Sequence, residues 1–412
     1  MNGIDALHFA MIECPQLKQN AEGECAMTDW LAEAKTIENE LIELRRTIHR
    51  HPEGGNEEFV TVELLMKELE KCGVETKRLP GTAAIGILRG KYPGPTVALR
   101  TDMDALPMQE DTGLPFASEV KGYMHACGHD VHMSALIGAA KLLSAHRDEM
   151  HGNVVFLLQP AEENAGGAEK MIQAGALEGV DAVFGAHVNP DLKAGTIGIR
   201  YGHFYAVSTR YNVTVHGKGC HGAEPENGID PLYAACRMCA GLKELTGIHN
   251  GRRDVVTVGM IKAGTVRNII PDTAHFEGIL RTMGFENRDM MVSKIYEVIA
   301  QVEKKTGVKA EVEMMFAYPG VVNHEAETAL AQKAAENLLG KENVTVLEKG
   351  TMTSEDFGFF LLEKPGSFYH IGVGSPYPIH SPKFNPDESA IAYGAACHAA
   401  ILSEYLNEHC DQ

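Results

Sequence analysis

The sequence has no long hydrophobic run, and none of its apolar stretches approaches the ~20 residues that a helix needs to span a bilayer. Residues 1–27 also lack the basic start and the continuous apolar stretch of a secretory signal. Basic residues are scarce, with 37 Lys and Arg against 56 Asp and Glu, and the net charge of −19 argues against nucleic acid or an anionic membrane as the partner. We therefore expect a cytoplasmic protein that binds neither.

A disulfide framework and internal repeats are also missing. The nine cysteines are odd in number and scattered along the chain, a distribution typical of reduced thiols. No segment recurs at a fixed period, and none is of low complexity. Because 412 residues exceed the size at which one hydrophobic core stops growing, we expect two domains.

The densest group of metal-binding side chains lies in the segment 125–132, which contains three imidazoles, a thiol and a carboxylate. The residues that follow, 133–143, are small or apolar at helical spacing and predict a buried helix. A loop at the start of this helix can aim Cys127 and His129 at one point, whereas on a regular helix these two side chains would diverge. A polar helix cap with chance histidines is the alternative, and partner residues elsewhere in the chain decide between the two.

Three predicted strands end in acidic or metal-binding side chains. In chain order they are 96–100 followed by Asp102 and Asp104, 153–159 followed by Glu162 and Glu163, and 182–186 followed by His187. Because ligands bind beyond the carboxyl ends of strands in open α/β sheets, this repetition predicts a site along one edge of a mostly parallel sheet. Adjacent carboxylates at a strand end point in different directions, so one glutamate can bind a metal ion while the other stays free as a base. Taken alone, each pair is equally compatible with an acidic loop or a turn.

The character of the sequence changes near residue 205. An alternating strand at 211–217 is followed by segments typical of helix, strand, strand, helix and strand, an order that resembles a ferredoxin-like unit. The predicted fold is α/β, with a mostly parallel sheet in the main domain and a ferredoxin-like α+β domain inserted into it. The predicted divisions are an N-terminal appendage, disordered or an upstream start, at 1–27, the main domain at 28–205 and 318–412, and the inserted domain at 206–317.

One further histidine, His380, follows the strand that is predicted at 367–373. His380 lies between Pro378 and Pro382 in a glycine-rich loop, a position that is compatible with a metal ligand. A lone histidine in such a loop would otherwise be unremarkable, so its importance depends on the residues near it in the fold.

Four blocks of sequence occur together in an order that resembles the aminoacylase/carboxypeptidase family of dimetal hydrolases: LRTDMDALP at 99–107, MHACGHD at 124–130, QPAEE at 159–163 and GAH at 185–187. Within that family the chain is most similar to the amidohydrolase subgroup, which includes hippurate hydrolase, N-acyl-amino-acid amidohydrolase, N-acetyl-diaminopimelate deacetylase and the plant auxin-conjugate hydrolases. The resemblance implies a hydrolase for linear amide bonds that acts on N-acyl amino acids or similar small conjugates. It also implies two divalent metal ions per subunit, Zn²⁺ or Mn²⁺ with Co²⁺ or Ni²⁺ also compatible, and a homodimer formed through the inserted lid domain.

The resemblance also implies a role for individual residues in the main domain. Five side chains would bind the two metal ions, with the thiol as the bridge: Cys127, His129, Glu163, His187 and His380. Glu162 corresponds to the general base, which takes a proton from the acidified water and passes it to the leaving amine. Asp104 corresponds to an aspartate that orients the site, and Asp102 stands where related peptidases have a histidine ligand.

Three residues of the inserted domain complete the implied site. His221 corresponds to a histidine that reaches the active site of the other subunit and stabilises the oxyanion, and Asn268 and Arg281 correspond to residues that hold the substrate carboxylate. The chain departs from the subgroup beside His221, because Gly222 and Glu226 stand where relatives usually carry alanine and histidine. These differences bear on lid contacts and substrate preference more than on the hydrolytic chemistry.

Two other functions remain open from the sequence. A dipeptidase or carboxypeptidase-like enzyme could use the same site on unblocked peptides, and a catalytically silent metal-binding or peptide-binding module could retain the fold. A zinc-dependent dehydrogenase is disfavoured, because no GxGxxG follows any predicted strand.

Overall fold

The computed structural model describes residues 28–163 and 166–410. The predicted appendage at 1–27 lies outside these residues. In the described part, buried apolar runs form a large sheet that is covered by helices on both faces, while alternating runs form a second, smaller sheet. Within these ranges, none of the helices has the length and apolar character required to cross a bilayer.

The helices cover both faces of the large sheet and one face of the smaller one. In the described residues they are α1 (Trp30–Arg50), α2 (Phe59–Lys71), α3 (His129–Ala145), α4 (Gly167–Gln173), α5 (Pro231–Lys243), α6 (Phe285–Thr306), α7 (Glu325–Leu339), α8 (Gly358–Glu363) and α9 (Ala390–Glu408). The first of them begins where the Asp29 carboxylate accepts the Ala32 N–H at 2.9 Å, a side-chain cap for an otherwise unpaired donor. The helix predicted after the histidine-rich cluster is α3, and it begins at His129.

The strands alternate with these helices along the chain. They are β1 (Glu75–Arg78), β2 (Ala84–Arg89), β3 (Tyr92–Asp102), β4 (His151–Gln159), β5 (Ala182–Asn189), β6 (Ile197–Ile199), β7 (Gly202–His203), β8 (Val207–His216), β9 (Cys220–His221), β10 (Gly247–His249), β11 (Arg252–Ala263), β12 (Ile269–Ile270), β13 (Thr273–Thr282), β14 (Lys309–Tyr318), β15 (Val322–Asn323), β16 (Val344–Val346) and β17 (Gly366–Gly372).

The large sheet has the order β1-β2-β4-β3-β5-β17-β6-β16. Its four central strands, β4, β3, β5 and β17, run parallel, while the antiparallel pairings lie towards the edges. The prediction of a mostly parallel sheet is therefore confirmed for the strands that matter to the site. Because β3, β4 and β5 share one direction, the residues that follow them meet at the same edge.

The smaller sheet has the order β10-β11-β13-β8-β14, and all of its pairings are antiparallel. The four long strands, numbered along the chain, stand in the order 2-3-1-4, and α5 and α6 pack on one face around a separate apolar cluster. This is the β-α-β-β-α-β arrangement that the sequence predicts. The exact domain boundaries at 206 and 317 stay a prediction.

Three helices of the main unit pack so closely that one position must be glycine. A Cβ atom built on Gly138 of α3 would lie 2.5 Å from the Ala395 Cβ of α9 and 2.7 Å from the Leu41 Cδ1 of α1. Contacts this short force neighbouring helices apart, because protein interiors are packed without spare space. Gly138 therefore sets the distance at which α1 and α9 pack against α3.

Replacing Gly138 by alanine tests this packing. The substitution gains about 1 kcal/mol of helix propensity but overpacks the contact at about 1–3 kcal/mol, so we expect the free energy of unfolding to fall by up to about 2 kcal/mol. Urea unfolding measures the change. Adding Ala395→Gly to the variant removes the partner methyl group and should recover part of the loss, whereas a more stable Gly138→Ala protein would contradict the packing argument.

Candidate active site

A sharp turn before α3 brings two of the predicted ligands together. Gly128 has φ +86°, the left-handed conformation, and a Cβ there would lie 2.6 Å from Val188 Cγ2. Glycine is the residue that adopts this conformation without strain, so it turns the chain between Cys127 and His129. The result is that both buried side chains face one region beyond the carboxyl end of β5.

Backbone carbonyls fix the orientation of two imidazoles at this turn. His129 Nδ1 lies 2.8 Å from the carbonyl oxygen of Asp104, and His187 Nδ1 lies 2.8 Å from that of Val188. Each Nδ1 therefore donates a proton, which leaves Nε2 as the atom that faces the site. Nε2 of the buried His129 has no hydrogen-bond partner among the described residues, and Nε2 of His187 lies 3.3 Å from Cys127 Sγ.

The thiol stands between two groups of potential ligands. Ligand atoms lie within 4.8 Å of one another in the group Cys127, His129 and His187, and equally in the group Cys127, Glu163 and His380. His380 Nε2 is 3.3 Å from Cys127 Sγ and 3.1 Å from Glu163 Oε1. The five residues predicted as metal ligands therefore form two triads that share one sulfur atom. A thiolate shared in this way can bridge two cations.

Asp104 holds the turn that carries the two glutamates. Its carboxylate accepts the backbone N–H of Glu162 at 3.1 Å and that of Glu163 at 3.0 Å. The preceding residue, Ala161, has φ +55°, an unusual conformation for a residue with a side chain, and the buried Glu58 carboxylate accepts its N–H at 2.8 Å. Two buried carboxylates therefore clamp a strained turn and fix where the paired glutamates point.

Replacing Asp104 by asparagine tests this clamp. One carboxylate oxygen becomes an amide that cannot accept a backbone N–H, so the turn at Glu162 and Glu163 loses a hydrogen bond at nearly unchanged volume. We expect the affinity for divalent metal to fall by about 10–100-fold, as for other residues that orient ligands from behind. Competition with a metal-binding dye measures it. Exposed Asp111→Asn is the control, and equal affinities of the two variants would contradict the clamp.

A buried arginine supports the acidic side of the site. The Arg100 guanidinium, fully buried in β3, lies 2.7 Å from Asp102 Oδ2, 2.9 Å from Glu355 Oε1 and 3.0 Å from Asp356 Oδ1. Gln159 donates to both oxygens of Asp356. The sequence patterns predict no role for Arg100 or Glu355. The available signal was a charged side chain in the middle of an apolar strand, which needs buried partners.

His132 is a structural residue rather than a ligand. Its Nε2 accepts the backbone N–H of Val188 at 2.8 Å, so the proton lies on Nδ1 and is donated to Asp102 Oδ1 at 2.7 Å. Both ring nitrogens are therefore used inside the protein. Although Asp102, His129 and His132 are close enough to form a further triad, the imidazole of His132 has no lone pair left for a cation.

Negative charge accumulates at this edge of the sheet. Burial raises the pKa of Glu162 well above its ordinary range, and the neighbouring carboxylates raise it further. Burial also raises the pKa of the Cys127 thiol, again reinforced by nearby carboxylates. Burial disfavours the charged form of His129, but the carboxylates of Asp102, Asp104 and Glu163 together outweigh it and raise the pKa of the ring to about 10. Such a site attracts cations, and bound cations would replace these protons.

The donor set fits divalent transition metals. A thiol, three imidazoles and a carboxylate are the ligands that Zn²⁺ prefers, and the nitrogen and oxygen donors also suit Mn²⁺, Co²⁺ or Ni²⁺. The unpartnered Nε2 of the buried His129 supports the same conclusion, since a buried polar atom is normally satisfied. Glu162 stands beside this set, grouped with His129 and Glu163 on one side and with Glu355 and Asp356 on the other.

The residues predicted in the inserted unit lie at two different places. His221 is exposed on β9, which pairs with β12, and the carbonyl of Asn268 accepts the N–H of Gly222 at 2.8 Å. In the described residues, neither belongs to a group of potential metal ligands. Arg281 instead donates to Met352 O at 3.2 Å and to Ser354 Oγ at 2.9 Å, directly before Glu355. The structure therefore places Arg281 against the segment that leads to Glu355, and the other two residues elsewhere.

Comparison with known proteins gives matches over most of the chain. The model of Peptidase family M20/M25/M40 matches residues 98–404. N-acetyl-L-cysteine deacetylase of Bacillus subtilis is 39% identical over 362 residues, 86% of this chain and 86% of that protein. Thermostable carboxypeptidase 1 of Saccharolobus solfataricus is 36% identical over 388 residues, 91% of this chain and 98% of that protein. The crystal structure of the Bacillus subtilis YXEP protein, a dinuclear metal binding peptidase from the M20 family, matches with a TM-score of 0.81 and 36% identity over 90% of this chain and 99% of that one.

Proposed function

Because the chain belongs to the M20/M25/M40 peptidase family, we propose that it hydrolyses the amide bond of N-acyl amino acids or similar small conjugates. The observation that carries the proposal is the pair of triads that share Cys127, with the carboxylate of Glu162 held beside them. This arrangement offers places for two cations and one base. The similarity to a deacetylase of an N-acetylated amino acid supports the choice of substrate.

The five ligand side chains would hold the metal ions, Zn²⁺ or Mn²⁺ in our proposal. When bound, two such cations acidify a water molecule and polarise the carbonyl oxygen of an amide. The protein's contribution is to keep the ligands oriented before any ion arrives, through the carbonyl groups behind His129 and His187. The fixed Nε2 atoms and the buried thiol then need little rearrangement.

Glu162 is proposed as the general base. It would take a proton from the attacking water and pass it to the leaving amine, and a positioned proton transfer of this kind contributes about 10²–10⁴-fold to the rate. Its backbone is held from two sides, because Asp104 accepts its N–H at 3.1 Å and the Tyr318 hydroxyl donates to its carbonyl oxygen at 2.7 Å. Glu163, the next residue, faces the thiol and His380 and is therefore proposed as the ligand.

The inserted unit is proposed to complete the site and to form a homodimer. Arg281, which donates to Ser354 Oγ, is suited to hold the carboxylate of the substrate. His221 lies on the exposed β9 and Asn268 directly before its partner strand β12, positions that suit a role at the active site of a second subunit. The free cysteines among the described residues agree with a reducing compartment such as the cytoplasm.

A second candidate is hydrolysis of unblocked dipeptides or of a peptide C-terminus. The similarity to a thermostable carboxypeptidase favours it, and the same ligands and base would serve. The difference lies in the substrate, because the peptidase must accept a free α-amine where the amidohydrolase accepts an acyl group.

A substrate panel separates the two functions. Metal-reconstituted protein is assayed with N-acetyl, N-benzoyl and N-succinyl amino acids and with unblocked dipeptides. We expect cleavage of at least one acylated substrate and weaker cleavage of the dipeptides. Cleavage of the dipeptides alone would establish the peptidase, and fully metallated protein that cleaves none of them would contradict both candidates.

A further inference from the structure

A tyrosine-histidine pair lies beside the metal-binding side chains and is not used by the proposed mechanism. The Tyr205 hydroxyl is 2.7 Å from His370 Nε2, and the two residues are only 7% and 8% exposed. His370 of β17 pairs in register with His187 of β5, so both side chains stand on the same face of the sheet. The pair therefore stands on the face of the large sheet that carries the Cys127 triads.

The proton positions in this pair follow from a third residue. Asn189 Oδ1 accepts the backbone N–H of Asp191 at 2.9 Å, which fixes the amide and turns its Nδ2 towards His370 Nδ1 at 3.0 Å. An amide NH₂ group is only a donor, so His370 Nδ1 must be the acceptor. A ring nitrogen that accepts a hydrogen bond carries no proton, and an imidazole keeps a proton on one of its two nitrogens. The proton of His370 therefore lies on Nε2 and is donated to the Tyr205 oxygen.

This assignment leaves the hydroxyl proton of Tyr205 without an acceptor. His370 is its only hydrogen-bond partner in the described ranges 28–163 and 166–410, and His370 uses its proton rather than its lone pair there. A nearly buried hydroxyl group normally donates its proton to some acceptor. The charges that act on Tyr205 come from the site itself, with Glu355 first, followed by Cys127 and Glu162.

We propose that the Tyr205 hydroxyl donates a hydrogen bond to an oxygen atom of the bound substrate, and that His370 and Asn189 orient it for this role. The inference rests on the proposed function only for the identity of the substrate, an N-acyl amino acid with carbonyl and carboxylate oxygens. Tyr205 would touch the substrate, whereas His370 is a positioning residue. The chain thereby supplies a donor of its own, independent of His221 and of a second subunit.

The first test is the tautomer of His370 and needs no activity. Long-range proton-nitrogen spectra of protein labelled with ¹⁵N-histidine distinguish a proton on Nε2 from one on Nδ1, and His370→Gln identifies the signal. We expect the proton on Nε2. A proton on Nδ1 would make Tyr205 the donor to His370 and would overturn the proposal.

The second test compares two tyrosines that are neighbours in the structure. Tyr205→Phe removes the proposed donor. Tyr369→Phe, on the opposite face of β17, removes a similar buried contact of 2.5 Å to His398 Nδ1 and is the matched control. We expect Tyr205→Phe to lower kcat/KM by about 10–100-fold with unchanged metal content, and Tyr369→Phe to lower thermal stability but not kcat/KM.

Substrate variants identify the acceptor. If the Tyr205→Phe loss persists when the substrate carboxylate is removed, as in the corresponding N-acyl amine, the hydroxyl serves the acyl carbonyl, and if the loss disappears it serves the carboxylate. Equal kcat/KM for Tyr205→Phe and the control on every substrate would overturn the proposal. Should the wild type cleave nothing, calorimetric binding of N-acetyl amino acids still tests it: a Kd about 10-fold weaker in Tyr205→Phe supports the contact, and an unchanged Kd refutes it.

Discussion

Replacing Glu162 by glutamine is expected to lower kcat by about 10²–10⁴-fold while the protein keeps its metal content. The amide has nearly the same size and can still accept a hydrogen bond, but it cannot take up a proton. The backbone contacts that hold the residue, from Asp104 and Tyr318, do not involve the side chain and survive the change. Steady-state kinetics and elemental analysis on the same sample measure both properties.

Glu163→Gln is the matched control, because it changes the neighbouring residue in the same way. This carboxylate lies 3.1 Å from His380 Nε2 in the triad of the shared thiol, so its loss should weaken metal binding first and turnover as a consequence. Excess metal should then restore part of the activity of Glu163→Gln but none of that lost in Glu162→Gln. If Glu162→Gln lost metal and Glu163→Gln kept it, the two roles would be exchanged. If both variants lost metal binding and turnover to the same extent, the assignment of one glutamate as ligand and the other as base would be contradicted.

Replacing Arg100 by methionine is expected to lower the free energy of unfolding by about 3–5 kcal/mol. The guanidinium is fully buried and pairs with three buried carboxylates, Asp102, Glu355 and Asp356. Methionine fills much of the space but leaves these groups without a positive charge. Denaturant unfolding measures the loss, and Arg89→Met, which breaks an exposed pair with Glu75 at 3.2 Å, should change stability by less than about 1 kcal/mol.

The loss in Arg100→Met should also depend on pH. Burial raises the pKa of Asp356 from 3.8 to about 8 even with Arg100 beside it, and without the guanidinium the pKa moves higher. A carboxyl group whose pKa is higher in the folded state binds more protons there than when unfolded, so folding becomes less favourable as pH rises between these two values. Up to about pH 8 this carboxyl group is protonated in the folded state of both proteins, so we expect the difference between variant and wild type to grow above about pH 8, where only the wild-type group ionises. A difference that stays constant above pH 8 would contradict the buried-charge explanation.

Much of the fold could be predicted from the sequence because its main strands carry clear patterns. The apolar run at 96–100 lies within β3, and the alternating residues at 211–217 fall almost entirely within β8. Very short strands such as β6 and β16 were missed, because three residues show no periodicity. The same holds for β9 and β12, which pair through two residues each.

The ligands of the candidate site could be predicted from the sequence, but the residues that hold the ligands in place could not. Strand ends and a dense motif are visible locally, and the structure brings the five proposed ligands into two triads around one thiol. The network around Arg100 was missed, because Glu355 and Asp356 lie more than 250 residues away and only the fold makes them neighbours. The structural role of His132 could not be predicted either, because it depends on a hydrogen bond from the backbone N–H of Val188. The assignments of ligands and base stay predictions.

Anomalous diffraction from crystals grown with Zn²⁺ or Mn²⁺ tests whether the shared thiol joins two metal sites, because it locates metal ions independently of activity. We expect two peaks per chain among Cys127, His129, Glu163, His187 and His380, with the thiol contacting both ions and the Glu162 carboxylate bound to neither. A single ion, or an ion held by Glu162 together with Glu355 and Asp356, would contradict it.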